Sequence, residues 1–461
     1  MRRSAAGILA LALAACAVGP DYQRSEAAVS AAYKEAVGWK AAEPRDEASR
    51  GNWWEIFGDP KLSALIESID MSNQNVLLAE ARFRQAQAFA AQSRAALFPT
   101  LDADASITRS RSAGAVSDNR SVALNSSWEI DLWGRLRRAL ESSAANAQAS
   151  AADLAAARLL AQAELASSYF QLRVLDAQKQ LLGDTVTAFD KSLELTRNRY
   201  AAGVAAKVDV VQAETQLKST LAQSIDTGVQ RAQLEHAIAI LVGKPPSEFA
   251  IAPVPLAVTM PRIPLGLPSE LLERRPDVAA AERRAAAANA QIGVAKTAYF
   301  PSLTLSASYG SRSAVASQLF TLPSGFWSIG PTLAQSIFDA GLRRALTEQA
   351  IAAYDATVAQ YRQAVLAGFQ EVEDNLAALH ILEEEAKVQD EAVRAARESV
   401  VLTTNQYKAG TVSYNNVVTV QTTQLNNERV AVGILGRRLV AAATLVKALG
   451  GGWDAAVLAQ K

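Results

Sequence analysis

Two stretches of the chain alternate apolar and polar residues with a period of two, and long segments beside them repeat apolar residues every three or four positions. In the first alternating stretch Leu101, Ala103, Ala105 and Ile107 are interleaved with Asp102, Asp104, Ser106 and Thr108, and Val122, Leu124, Trp128 and Ile130 with Ser121, Asn125, Ser127 and Glu129. The second sets Leu303, Leu305, Ala307 and Tyr309 against Ser302, Thr304, Ser306 and Ser308, then Trp327, Ile329, Leu333 and Ile337 against Ser328, Thr332 and Ser336. Each stretch predicts two strands, over about 100–130 and about 301–338, with one greasy and one polar face. Pro331 interrupts the pattern and is best tolerated at an edge or a bulge.

Helices are predicted over about 60–97, 133–199 and 208–241, and again over about 277–298, 340–407 and 414–448. In the last long one Val358, Tyr361, Val365, Phe369, Val372, Leu376 and Leu379 form the seam of a coiled coil. An unbroken helix of some 65 residues would reach roughly 100 Å, which suits a rod that spans distance. Gly203 and Gly410 fall where a left-handed residue would cap each long helix and turn the chain into the shorter one.

The two sets of elements are copies of one another. Phe98-Pro99-Thr100-Leu101 recurs 202 residues on as Phe300-Pro301-Ser302-Leu303, and Leu136-Arg137-Arg138-Ala139 recurs 206 on as Leu342-Arg343-Arg344-Ala345. Tyr200-Ala201-Ala202-Gly203 recurs 207 on as Tyr407-Lys408-Ala409-Gly410. Between the copies, Gly243 to Pro268 holds seven of the fifteen prolines and reads as an extended connector.

The first residues add an export signal. Met1-Arg2-Arg3-Ser4 is basic, Ala5 to Ala15 is apolar, and Leu13-Ala14-Ala15-Cys16 resembles a lipobox, so the mature protein is expected to begin at a lipidated Cys16. The division that follows is a signal peptide (1–15), a lipidated arm (16–59) whose residues 17–52 are polar and expected to have no core of their own, a first repeat (60–242), the connector (243–268), a second repeat (269–449) and a C-terminal tail (450–461).

Composition narrows the chemistry. Cys16 is the only cysteine, which leaves no disulfide or cysteine metal site, and His236 and His380 lie far apart on helical stretches. Net charge is zero and scattered, so no nucleic-acid partner is expected. No nucleophile elbow, phosphate-cradling loop or metal cluster points to an enzyme, and no cofactor is expected beyond the lipid on Cys16. Half of the 461 residues are hydrophobic, yet no run after Cys16 is long enough for a membrane-spanning helix. Any crossing must use strands.

An ordinary half-exposed sheet packed on helices would alternate in the same way. Lipid-facing strands are favoured here because the polar faces are small and neutral, the lengths suit a span of about 9–11 residues, and Trp128, Tyr309 and Trp327 are placed to mark a membrane interface. Four strands cannot close a barrel, since about eight is the usual minimum, so several chains must share one; three would supply twelve strands.

The run Pro268-Ser269-Glu270-Leu271-Leu272-Glu273-Arg274-Arg275-Pro276-Asp277, continuing through Ala281-Glu282 and Ile292-Gly293 to Phe300-Pro301-Ser302-Leu303, resembles the signature of the outer-membrane efflux proteins. These are the TolC-like outer-membrane factors, and the similarity is to their NodT-type lipoprotein branch. Cys16-Ala17-Val18-Gly19-Pro20-Asp21-Tyr22, Trp53-Trp54 with Phe57, Trp128-Glu129-Ile130-Asp131-Leu132-Trp133-Gly134 and the two Tyr-x-Ala-Gly tips add to the resemblance, which covers nearly the whole chain.

The resemblance implies a mainly α fold with a transmembrane β-barrel: a homotrimer sharing twelve strands, four per chain, above an α-helical barrel that crosses the periplasm. It implies a passive exit duct that works with a periplasmic adaptor of the membrane-fusion type and an inner-membrane pump, often of the resistance-nodulation-division class. The adaptor would meet the tips, at Tyr200, Gly203, Val204, Tyr407, Gly410 and Thr411. In the family, aspartates just after the second tip commonly narrow the periplasmic mouth; the matching positions here, Asn416 and Thr419, are neutral, and Asp209 keeps a carboxylate in the first half. A polar aperture is therefore expected, with Asp209 alternatively a helix-start residue. Two rival functions are a tunnel for type I protein secretion and a lipid-anchored periplasmic scaffold without a pore; the second leaves the alternating strands unexplained.

Overall fold

The computed structural model describes residues 17–27, 29, 32–35, 52–254, 256, 260, 261, 263 and 274–453. Cys16, the signal-like segment and Pro268 to Glu273 lie outside the described residues. In the first half, helices α1 (Pro60–Ser72) and α2 (Gln74–Ala95) precede strands β1 (Thr100–Ser112) and β2 (Ala115–Ile130), then α3 (Arg135–Ala201) and α4 (Lys207–Leu241). In the second, α5 (Pro276–Thr297) precedes β3 (Ser302–Ser313) and β4 (Gly325–Ala334), then α6 (Leu342–Lys408) and α7 (Tyr414–Ala448). Both long helices have 67 residues and both returning helices have 35. No helix among the described residues is long and apolar enough to cross a membrane.

The stretch expected as one helix over 60–97 is broken at Asn73. Its backbone is extended there, its Oδ1 accepts from the N–H groups of Asn75 (3.0 Å) and Val76 (3.1 Å), and its Nδ2 donates to the Leu241 carbonyl at 2.8 Å. An asparagine that caps a new helix and satisfies the end of α4 outweighs helical propensity. The second strand pair also stops short of 338: β4 ends at Ala334, and Ile337 lies beyond it, 86% exposed. The chain there turns to start α6, with the Asp339 carboxylate accepting from the N–H groups of Gly341 (3.1 Å) and Arg343 (3.2 Å). Asp131 does the same for α3, accepting from Leu136 (3.1 Å) and Arg137 (2.9 Å). The repeated Leu-Arg-Arg-Ala thus marks a repeated helix start.

The described residues fall into two compact units. One contains the sheet, the flanking parts of α2, α3, α5 and α6, and the arm up to Ala27. Its helices pack through small residues, with Ala145 against Ala286 and Ala287. The other contains α1, α4, α7 and the remaining lengths of the long helices. Here Trp53, Trp54 and Phe57, just past the stretch expected to lack a core, form a buried turn, and Phe57 packs on Phe170 with ring centroids 4.8 Å apart. The seam on α6 is buried at Tyr361, Val365, Val372, Leu376 and Leu379 and half-buried at Val358 and Phe369.

Candidate functional site

The four strands form one antiparallel sheet in the order β1-β2-β3-β4. The register gathers the apolar positions onto one face in rows across the strands: Ile130, Leu303 and Leu333; Trp128, Leu305 and Pro331; Leu101, Ala307 and Ile329, with Ser126; Ala103, Leu124, Tyr309 and Trp327. Pro331 lies on the edge strand β4, where a missing N–H is tolerated. From Ile130 to Val122 the face runs eight residue steps, about 27 Å along the strand. At a tilt of about 40° that leaves about 21 Å along a membrane normal, close to the apolar band of a transmembrane barrel. The side chains stand open, Leu101 at 70%, Tyr309 at 69% and Trp327 at 74%. Trp128 is less open because its Nε1 donates to the Leu97 carbonyl at 3.0 Å.

The opposite face is held by small polar side chains. Ser106 and Ser121 hydroxyls lie 2.8 Å apart, Ser308 and Ser328 2.8 Å apart, and Asn125 donates to Asp104 at 2.6 Å. Such a face is wetted at little cost. β1 and β4 are both edges in the single chain, so each carries a row of backbone groups that no strand of the same chain pairs.

At the far ends of the helices, Gly203 and Gly410 adopt φ of 74° and 78°. Gly203 and Val204 donate to the Tyr200 and Arg199 carbonyls (3.0 and 2.8 Å), and Gly410 and Thr411 to those of Tyr407 and Gln406 (3.0 Å each), so both helices close with the same hydrogen-bonded cap. The surroundings differ. Tyr407 is buried in a cluster with Phe189, Leu193, Val210, Leu217, Tyr414 and Val417, its ring 5.3 Å from that of Tyr414, with the Arg199 guanidinium over it. Burial pushes the Tyr414 phenol up, and its oxygen lies 3.1 Å from the Ser192 hydroxyl. Tyr200 is exposed under Lys207, and Val204 and Thr411 are exposed on the two turns.

Asn416 and Thr419 are exposed on the first turns of α7. Asp209 is half-buried, and its carboxylate accepts from the Ala206 N–H at 3.4 Å, the work of a helix-start residue. The candidate aperture residues are therefore not equivalent in their surroundings. Tyr414 was not singled out from the sequence, although the spacing of 207 that relates the tips pairs it with Lys207.

The arm is a third feature that pattern alone does not reveal. Val18 donates to the Trp133 carbonyl at 3.0 Å, just past the end of β2, and Arg138 reaches Asp21 at 2.7 Å. Gly19, at φ 106°, lies so close to Gly293 that an added Cβ would stand 2.5 Å from its Cα, which explains glycine on both sides. Tyr22 donates to Glu282 at 2.6 Å; burial, then that carboxylate, pushes the phenol up. Among the described residues no group of three or more His, Cys, Asp or Glu side chains could hold a metal.

Comparison with known proteins gives a consistent result. The family described as outer membrane efflux protein matches residues 65–244 and 267–451, one match in each half. The pyoverdine export outer membrane protein OpmQ of Pseudomonas aeruginosa is 33% identical over 428 residues, 90% of either chain. The toluene efflux pump outer membrane protein TtgC of Pseudomonas putida is 31% identical over 458 residues, 97% of this chain and 94% of that one. Among solved structures, the outer-membrane channel OprN superposes with a TM-score of 0.88 at 31% identity, over 95% of this chain and all of that one. The open state of the MtrE outer membrane channel of Neisseria gonorrhoeae gives 0.86 at 29%, over 95% and 99%.

Proposed function

The chain belongs to the outer membrane efflux protein family and is an outer-membrane channel of an efflux system; we propose that three copies close it into a passive exit duct, fed by an inner-membrane pump through a periplasmic adaptor. The observation that carries this reading is the sheet with an open apolar face and two unpaired edges. In lipid each unsatisfied backbone group costs several kcal/mol, so a four-stranded sheet cannot stand there alone. Pairing β4 of one copy with β1 of the next removes every edge. The hydroxyl-lined face then borders the water-filled lumen.

Trp128, Tyr309 and Trp327 serve as interface anchors on the lipid side. The two capped tips are the adaptor's seat, presenting Tyr200, Gly203, Val204, Gly410 and Thr411 with the buried Tyr407 bracing the second from within, and Asn416, Thr419 and Asp209 border a polar mouth that lacks a ring of free carboxylates. The pump is of the resistance-nodulation-division class, as in the branch the sequence resembles. The duct performs no catalysis and needs no cofactor, because the pump supplies the energy. A lipid on Cys16 is supported by the position of the residues that follow it, since Val18 is fixed beside the end of β2 at the base of the apolar band. The acyl chains would enter the same membrane as the strands.

Cysteine pairs introduced on β1 and β4, in a Cys16→Ser background, test the closure. Oxidised membranes should yield covalent dimers and trimers; monomers alone, at normal abundance and in every register tried, would contradict it.

A further inference from the structure

Beyond the apolar rows the lipid-side face changes character abruptly. The next row holds Ile107 and Arg120, the one after it Arg109 and Asp118, and the last Arg111 and Val116. Three guanidinium groups thus follow the greasy band on the same face of the β1–β2 hairpin, at the end away from the helices. Asp118 is the single acid among them, and it reaches Arg109 and Arg120 only at 3.6 and 3.7 Å. Arg120 is further tied to the Ala314 carbonyl, whereas among the described residues Arg111 has no side-chain partner. Arg312, which pairs with Ser121 on the neighbouring strand β3, belongs to the opposite face and lies over the Phe326 ring, so it does not join the row.

A surplus of two positive charges at this depth is a specific chemical feature. Lumen residues cannot use it, and charges among lipid tails would be costly; the band's outer margin is where headgroup phosphates lie. The planar guanidinium fork matches phosphate oxygens two at a time, and does so more strongly where water is partly excluded. We propose that Arg109, Arg111 and Arg120 form a seat for the phosphate-bearing headgroup of an outer-leaflet glycolipid, with the apolar rows beneath holding its acyl chains. The seat rests on the lipid-facing reading of the sheet. Repeated in three copies it would ring the duct with bound lipid and fix its depth in the membrane.

The test uses the full-length protein in non-ionic detergent, a fluorescent bisphosphorylated glycolipid, and the same glycolipid stripped of phosphate. The native protein should retain the phosphorylated probe about tenfold better, an advantage that fades with salt. Arg109→Ser/Arg111→Ser should lose that preference, and Arg109→Lys/Arg111→Lys should keep part of it. Equal retention of both probes by the native protein, or an unchanged preference in the serine variant, would overturn the seat. Displacement of the probe by millimolar inorganic phosphate would also overturn it, in favour of a site for free anions. Single channels recorded from the same native preparation separate the two readings: conductance without phosphate preference rejects the seat alone, and absence of conductance rejects the barrel beneath it.

Discussion

The two helix tips carry the same four-residue motif and the same capping hydrogen bonds, yet they sit in different surroundings. Tyr407 is 5% exposed and Tyr200 is 45% exposed. The difference comes from one position in the repeat: Tyr414 follows the second tip, where Lys207 follows the first. Tyr414 draws Tyr407 inward against α3 and α4, while Lys207 lies 5.6 Å above the Tyr200 ring and leaves it at the surface. Duplication therefore supplies two similar turns, and a single aromatic makes one of them a wedge that locks the hairpins together. The first tip stays free to be met from outside.

Removing the wedge should have the largest effect. Tyr414→Ala deletes a fully buried ring, and by analogy with other aromatic truncations costs about 3–5 kcal/mol. Thermal unfolding and protease protection of the tips should both register the loss, and Tyr200→Ala should change either far less. Equal losses in the two variants would erase the distinction between the tips. The caps come next. Gly410→Val forces a β-branched residue to a φ of 78°, at a cost of about 1–2 kcal/mol or more. Crosslinking of the variant to the adaptor should weaken at normal protein levels, and unchanged crosslinking would mean that this turn is not part of the seat.

Charge at the mouth is a sharper probe of the comparison than stability. Asn416→Asp should make a ring of three carboxylates and favour cations over anions by a few-fold, on the order of 1 kcal/mol in effective interaction near a surface. Asp209→Asn should leave selectivity nearly unchanged, because that carboxylate already faces the Ala206 N–H. Reversal potentials under a salt gradient measure both; a larger shift from Asp209→Asn would assign the aperture to the first half. The smallest effect belongs to Lys207→Ala, which removes an exposed cation–π contact worth about 0.5 kcal/mol.

Much of this architecture was legible in the residues. Period-two alternation at Leu101 to Ile107 and at Leu303 to Tyr309 fixed the strands and their faces, because a one-residue slip would turn every side chain over. Proline, glycine and the repeated motifs marked the turns. What was missed depends on contacts between distant segments. Asn73 reads as an ordinary helical residue until Leu241 is beside it, and Ile337 continues an alternation that Asp339 ends by capping α6. The burial of Tyr407 required knowing that α7 packs on α3. The arginine row at Arg109, Arg111 and Arg120 lies in the sequence in plain view, but only the register puts all three on the apolar face.

An open apolar sheet that is one part of a barrel closed by three copies requires a trimer that conducts. Single-channel recording of the purified, detergent-extracted protein in planar bilayers, with the mass of the protein in detergent measured on the same preparation, tests it most directly. Closure by three copies should give the mass of three chains and discrete conductance steps. A monomer that never conducts would contradict it and would return the protein to the class of lipid-anchored scaffolds.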